Sequence, residues 1–325
     1  MNVLVTGGTG YLGRAIVGAL QAAGHGVVLY SRSASQSGLP VRTVDGDIRD
    51  LAALGRAAAA CDAIIHSAAL VAVWRRRARD FDEVNVGGLS NILAVARQAG
   101  IARVIYTSSF LALPPVGLDR PTAWNDYQRT KAAADTLAER AVEQGVPLIR
   151  LYPGVIYGPG PVTDGNLVGR MIADHLQGRL PGVVGADRIW SYAFVGDVAA
   201  AHVAALTAGV PGRRYLLGGE DAPQMRVFEI VRTLTGRPLP RRLPAWAASG
   251  AALVDELRAT WFGGTPMLTT GTLEILLRDW PLGHALAAEE LGYKVMPLAE
   301  GVARVVDGLG AAPVPVPAAT SASAS

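Results

Sequence analysis

Cysteine is all but missing, Cys61 being the only one. That excludes a disulfide framework within the chain and makes a reducing, cytoplasmic setting the expectation. The five histidines, His25, His66, His175, His202 and His284, show no ligand spacing, and no second cysteine could join them, so no metal is expected. Long apolar runs are missing too. Asp62, His66, His202 and scattered glycines break every stretch before it reaches the roughly 18 residues that read as a membrane span, and none is expected. Excess charge of one sign is also lacking: the formal net charge is +3 over 325 residues, which gives no reason to expect a nucleic-acid partner. The opening residues carry no charged leader region, and the first strand starts at Asn2.

Lysine is the most informative scarcity. Only Lys131 and Lys294 occur, so 28 of the 30 Lys and Arg residues are arginine. Lys131 stands four residues after Tyr127 in WNDYQRTKAAAD, Trp124 to Asp135, a segment that reads as helix. At that spacing a phenol and an ammonium share one helical face. Arg is a rigid fork that keeps its proton, whereas Lys is a compact charge able to approach a phenol and donate to hydroxyls. An ammonium about 4 Å away at an effective dielectric near 20 is worth about 4 kcal/mol, enough to lower a tyrosine pKa by up to roughly three units. The pair is therefore expected to act as an acid with Lys131 depressing the pKa of Tyr127.

Half of the residues are hydrophobic, enough for a sizeable core. Short apolar runs at Asn2–Thr6, Val27–Tyr30, Val41–Val44, Ala63–Ile65, Val104–Thr107 and Pro147–Leu151 read as buried strands. Helical stretches separate several of them, among them Asp82–Ala99 and Asn125–Gln144. This alternation predicts an α/β fold, a Rossmann-type doubly wound parallel sheet covered on both faces. Beyond Tyr152 the sequence loosens. Helices are expected at Leu167–Gln177, Asp197–Thr207 and Met225–Thr235, and a strand at Arg214–Leu217. The organisation expected is a dinucleotide-binding domain over 1–155, with parts of 180–220 returning to it, a smaller mixed substrate lobe over 156–310, and a disordered tail over 311–325.

Between the first strand and the first helix lies TGGTGYLG, with Gly7, Gly10 and Gly13 spaced GxxGxxG. Such glycines allow a tight turn, a close approach to a pyrophosphate and close helix–strand packing. The amides at the helix start, at Tyr11 and Leu12, face the phosphates. The second strand ends Leu29-Tyr30-Ser31-Arg32-Ser33, without the Asp or Glu that usually holds the NAD ribose. Arg32 and its flanking serines suit a 2′-phosphate, so NADP(H) is favoured over NAD(H).

With TGGTGYLG, GDI, HSAA, YTSS and YQRTK in this order, the chain resembles the extended short-chain dehydrogenase/reductases, the NAD-dependent epimerase/dehydratase superfamily, over nearly its whole length apart from the tail. Within them it looks most like the dihydroflavonol reductase-like branch, with its 3β-hydroxysteroid dehydrogenase-like and hopanoid-associated sugar epimerase-like members. The resemblance implies that Gly7, Gly10 and Gly13 cradle the pyrophosphate, that Asp47 and Ile48 flank the adenine, and that Ala68 and Ala69 line the cofactor. It sets Pro153, Gly154 and Val155 against the nicotinamide, Asn85 near the catalytic helix, and Lys131 on the nicotinamide ribose as well as beside Tyr127. The chemistry falls to Ser109, Tyr127 and Lys131, with Ser108 as the alternative serine, because a strand ending near Thr107 leaves open which serine enters the cleft. A homodimer is a family-level expectation.

The 17 residues from Phe110 to Asp126 are shorter and more apolar than the loop usual in extended members, and the Thr-Asp-Glu continuation of many sugar-nucleotide enzymes is absent. The expected substrate is therefore a mainly apolar small molecule, a ketone or secondary alcohol, and the enzyme an NADP(H)-dependent oxidoreductase. The alternatives are an epimerase or dehydratase acting on a sugar derivative, and a cofactor-binding protein without catalysis. Trp74, Phe110, Tyr157, Trp190 and Phe194 stand between pocket and core, and the cluster Arg75, Arg76, Arg77 and Arg79 reads as a solvated helix start.

Overall fold

The computed structural model describes residues 1–310; the expected disorder of 311–325 lies outside the described residues. The first half runs β1 (Asn2–Thr6), α1 (Tyr11–Ala22), β2 (Gly26–Ser31), β3 (Arg42–Asp45), α2 (Leu51–Ala58), β4 (Ala63–His66), α3 (Arg79–Phe81), α4 (Gly88–Gln98), β5 (Arg103–Thr107), α5 (Asp126–Glu143) and β6 (Leu148–Pro153). The second runs β7 (Val155–Tyr157), α6 (Leu167–Leu176), β8 (Val183–Val184), β9 (Ile189–Phe194), α7 (Val195–Ala205), β10 (Arg214–Leu217), β11 (Glu220–Pro223), α8 (Gln224–Thr235), β12 (Arg242–Leu243), α9 (Ala245–Phe262), α10 (Thr270–Leu276), α11 (Ala285–Leu291) and α12 (Leu298–Gly308).

Seven parallel strands form the main sheet in the order β10-β6-β5-β4-β1-β2-β3. The order reverses at β1 and β4, and the crevice beyond their carboxyl ends is where such sheets bind ligands. Side chains alternate across the sheet. Val3, Val5 and Ile65 pack with Ile16, Val17 and Leu20 of α1 and the alanines of α7. Leu4, Ile64 and Val104 pack on the other face with Leu54 of α2, Ile92 of α4 and Ala138 of α5. Both faces are thus covered, as the near-continuous apolar strands require.

The segment read as one α-helix over Asp82–Ala99 differs in detail. Asp82–Gly87 is a π-helical turn, and α4 follows it. The wider turn carries Asn85 inward, where its Oδ1 accepts from the Leu70 amide at 2.7 Å and its Nδ2 donates to Thr130 Oγ1 at 3.0 Å. Such π-helical turns are frequent at functional sites. Of the arginine cluster, Arg77 pairs with Asp80 and Arg79 with Glu83 on an exposed surface.

The second half builds a three-stranded sheet β11-β9-β7 and a two-stranded pair β12-β8, packed against α6, α8 and α12 around Trp190, Tyr157 and Trp280. One strand, β10, leaves this half and completes the main sheet beside β6. Among the described residues no helix is long and apolar enough to cross a membrane, and no group of three or more His, Cys, Asp or Glu could hold a metal ion.

Two histidines are sealed in the sheet region. His202 donates from Nδ1 to the Val198 carbonyl, so its Nε2 accepts from Thr107 Oγ1 at 2.8 Å. His66 shares its Nδ1 with Thr6 Oγ1 at 2.7 Å. Burial pushes them down to about 4 and about 3. Between pH 6.5 and those values the unfolded chain binds protons that the folded chain refuses, so stability falls as pH drops through that window. The slope is at most about 1.4 kcal/mol per pH unit for each histidine. Urea unfolding followed from pH 8 to 5 is expected to show the midpoint falling below pH 6.5, with His202→Asn removing part of that slope and His66 and the likewise lowered His175 keeping the rest.

Candidate active site

The site begins at the turn after β1. Gly7 has φ +76°, in the left-handed region, and a Cβ there would stand 2.5 Å from the Ala68 amide nitrogen beyond β4. The two loops at the sheet's reversal point therefore touch backbone to backbone. Gly10 caps α1 without any side-chain partner for the first-turn amides. Those amides, at Tyr11, Leu12 and Gly13, open on the cleft and present the positive end of the helix.

A single cleft of about 800 Å³ runs from this turn into the second half of the chain. It brings together all the residues singled out above for cofactor and chemistry. Gly7, Gly10, Arg32, Asp47 and Ile48 line one end; Ala68, Ala69, Pro153 and Val155 the middle, with Ser109, Tyr127 and Lys131. At the first end Arg32 is exposed, and Asp45 is drawn away by the amide and hydroxyl of Ser35. Asp47 is held below the usual carboxylate range by Arg49, its Oδ2 lying 2.7 Å from the guanidinium. Ser31 Oγ is buried without a partner among the described residues. The turn, the bare helix start and this unpaired hydroxyl fit a dinucleotide.

In the middle, Asn125 caps α5 by accepting from the Gln128 amide, which sets Tyr127 in the first helical turn and Lys131 one turn further on. Ser109 is close enough to Tyr127 to pull its pKa down, and its Oγ accepts from the Leu111 amide at 3.2 Å, whereas Ser108 donates to Asp135 at 3.5 Å. Ser109, and not Ser108, is thus the serine beside Tyr127. Lys131 is buried, donating from Nζ to the Thr107 carbonyl at 2.9 Å and to Tyr106 Oη at 3.4 Å.

The electrostatics correct the sequence reading. Tyr127 was expected to be pulled down by Lys131; instead burial pushes it up to about 12, with the Ser109 hydrogen bond pulling the other way. Lys131 is itself lowered to about 7 by burial, opposed by the nearby Asp135 carboxylate. Asp135, one turn beyond Lys131, accepts from Tyr152 and lies 3.7 Å from Arg214. Sequence reading passed over it because an acid eight residues from Tyr127 looks like any solvated helix position.

The far end is lined by Phe110, Val71, Leu167, Trp190 and, from α10, Ile275 and Leu276. Of the five aromatics left between pocket and core, Phe110 and Trp190 line the cleft; Tyr157 and Phe194 are core, and Trp74 stays half-buried outside the lining. The α10 contribution was missed because its short run carries no motif. Asn85 lies behind the lining, tying the Leu70 loop to α5.

With two lysines in the chain, ε-¹³C-lysine labelling resolves Lys131 directly. Asp135→Asn is expected to lower its titration midpoint by about one pH unit, the loss of one nearby opposite charge, and to leave Lys294 unchanged. An unmoved Lys131 signal would remove Asp135 from this role.

The family model described as the NAD dependent epimerase/dehydratase family matches residues 3–218. Sterol demethylase protein B of Methylococcus capsulatus is 34% identical over 81% of this chain and 84% of its own length. A putative dihydroflavonol 4-reductase of Synechocystis is 29% identical over 93% and 92%. The solved UDP-glucose 4-epimerase of Thermus thermophilus, in complex with NAD, covers 95% of this chain and 99% of its own at 25% identity and a TM-score of 0.74. Together with the glycine turn and the reversed strand order, these matches identify the chain as a member of the NAD-dependent epimerase/dehydratase family, an NAD(P)-binding oxidoreductase of the extended short-chain dehydrogenase/reductase type.

Proposed function

We propose that this enzyme uses NADP(H) to interconvert a carbonyl and a secondary alcohol on a mainly apolar small molecule. The observation that carries the reading is the convergence of Ser109, Tyr127 and Lys131 midway along a cleft that is polar and glycine-rich at one end and apolar at the other. In this reading residues 1–155 hold the cofactor and 156–310 mainly hold the substrate.

When bound, the cofactor supplies or accepts a hydride. Gly7, Gly10, Tyr11, Leu12 and Gly13 hold its pyrophosphate, Asp47 and Ile48 its adenine, and Ala68, Ala69, Pro153 and Val155 its nicotinamide side. Arg32, flanked by Ser31 and Ser33, takes the 2′-phosphate as a fork-shaped donor, and among the described residues no unpaired carboxylate lines that end to repel it. As a carbonyl is reduced its oxygen gains negative charge, which needs donors to hold it and an acid to protonate it. Ser109 holds the oxygen and Tyr127 gives the proton. Burial, by raising Tyr127 to about 12, keeps the phenol protonated at neutral pH, the form a reductase requires. Lys131 holds the nicotinamide ribose, and its charged form, which Asp135 favours, stabilises the phenolate left behind. Oxidation of the alcohol starts from that phenolate and is expected to quicken as pH rises.

The apolar far end supports a greasy substrate: Phe110, Trp190 and Ile275 offer area but few donors, and Arg170 is already paired with Asp164 at 2.7 Å. Calorimetry with NADPH and NADH, followed by a panel of ketones and sugar nucleotides, tests the reading. NADPH is expected to bind roughly tenfold tighter, with Arg32→Ala removing the difference; equal or tighter NADH binding sinks the NADP assignment. Tyr127→Phe is expected to lower turnover by about 10²–10⁴, and full turnover in that variant would sink the mechanism. Epimerised sugar without net NADPH consumption would replace this reading by an epimerase.

A further inference from the structure

Helix α9 carries its side chains in reverse of an ordinary surface helix. Its inward seam is alanine, Ala248, Ala252 and Ala259, of which Ala248 packs on Val184 and Leu273. Its outward stripe is large and apolar: Trp246, Leu253, Leu257 and Trp261 recur at i, i+7, i+11 and i+15, one face of a 3.6-residue helix. The two tryptophans are 79% exposed, and Phe262 at the helix end is 85% exposed. A contiguous exposed patch of this kind marks an interaction surface.

Charge narrows the partner. Between Glu229 and Asp255 the chain carries four arginines, Arg232, Arg237, Arg241 and Arg242, and no carboxylate, although Arg242 pairs with Asp187 at 2.6 Å. The helix's own acids are turned to other work: Asp255 accepts from the Met267 amide and pairs with Arg258, and Glu256 accepts from the Thr270 amide and hydroxyl. Tryptophan, with an apolar ring and one N–H donor, suits the level between headgroup and acyl chain. An apolar stripe with aromatic ends and a cationic approach is the pattern of a helix lying in the plane of a membrane surface.

We propose that α9 docks this protein on an anionic lipid bilayer, with the Trp246–Trp261 stripe at the acyl boundary and Arg237 and Arg241 on headgroup phosphates. The docking needs no reading of the cleft. Its bearing on substrate rests on the oxidoreductase reading: α10 meets α9 through Leu273 and lines the cleft through Thr272, Ile275 and Leu276. The apolar end of the cleft is then one helix layer, about 8–10 Å between axes, from the lipid.

Flotation of the full chain with phosphatidylcholine vesicles, with and without phosphatidylglycerol, reads the docking. The bound fraction is expected to be roughly tenfold higher on the anionic vesicles and to fall with salt. Trp246→Glu with Trp261→Glu is expected to abolish binding while the thermal melt and NADPH affinity stay unchanged; Arg237→Glu with Arg241→Glu is expected to remove only the anionic preference. Should the tryptophan double variant fail to fold, acyl chains brominated near the headgroup are expected to quench the native tryptophan emission. Absence of vesicle binding, binding retained in the folded tryptophan double variant, or a dimer that this variant dissolves would each overturn the proposal, the last by making the face an interface between copies. Loss of NADPH or ketone activity with vesicle binding intact would instead overturn the oxidoreductase reading and leave the docking standing.

Discussion

An ammonium with almost no contact with water has to be held from several directions, and at Lys131 that requirement organises the centre of the molecule. Its Nζ donates to the carbonyl at the end of β5 and sits 5.0 Å from the centre of the Tyr106 ring, while the Asp135 carboxylate stands one turn along α5. Asp135 in turn receives Tyr152 from β6, Ser108 from the end of β5 and Arg214 from β10. A buried charge without such partners would shed its proton or destabilise the fold. The register among α5, β5, β6 and β10 is thus tied to one cation, and the same register sets Ser109 beside Tyr127.

This network explains why the two adjacent serines differ. Successive residues at the end of an extended strand point to opposite sides. Both border the cleft, but Ser108 joins the charge network through Asp135 while Ser109 lies beside Tyr127. The sequence showed both hydroxyls but not the side each takes, because one residue of uncertainty in where β5 ends exchanges them.

The first half of the fold was legible because most of its strands are short apolar runs, β3 with Arg42 and Asp45 being the exception, and many breaks are glycine turns or caps. The second half was less so. Strands such as β8 and β12 are two residues long, too short to show a period, and α9 puts alanine inward and tryptophan outward, which defeats a reading of hydrophobic faces. The direction of the Tyr127 shift was misread for a different reason: spacing along a helix reveals which charges are near, but burial depends on segments far away in sequence, and burial is the larger effect here. The cofactor end of the cleft comes from contiguous motifs and could be read; the far end draws on Phe110, Leu167, Trp190 and Ile275, which only the fold brings together.

The strand exchange at the edge of the main sheet bears on how the chain is made. β6 pairs with β5 on one side and β10 on the other, so a nascent chain that has emerged only through β6 presents an open, fully buried-type strand edge to its surroundings. Such an edge invites pairing with other chains. The β6 edge is covered only when Arg214–Leu217 leaves the ribosome, and by then α6, β9 and α7 have been synthesised in between. The two halves are consequently one unit of synthesis and of inheritance: cutting the gene after β6 would release a cofactor-binding half with a sticky flank instead of an independent module.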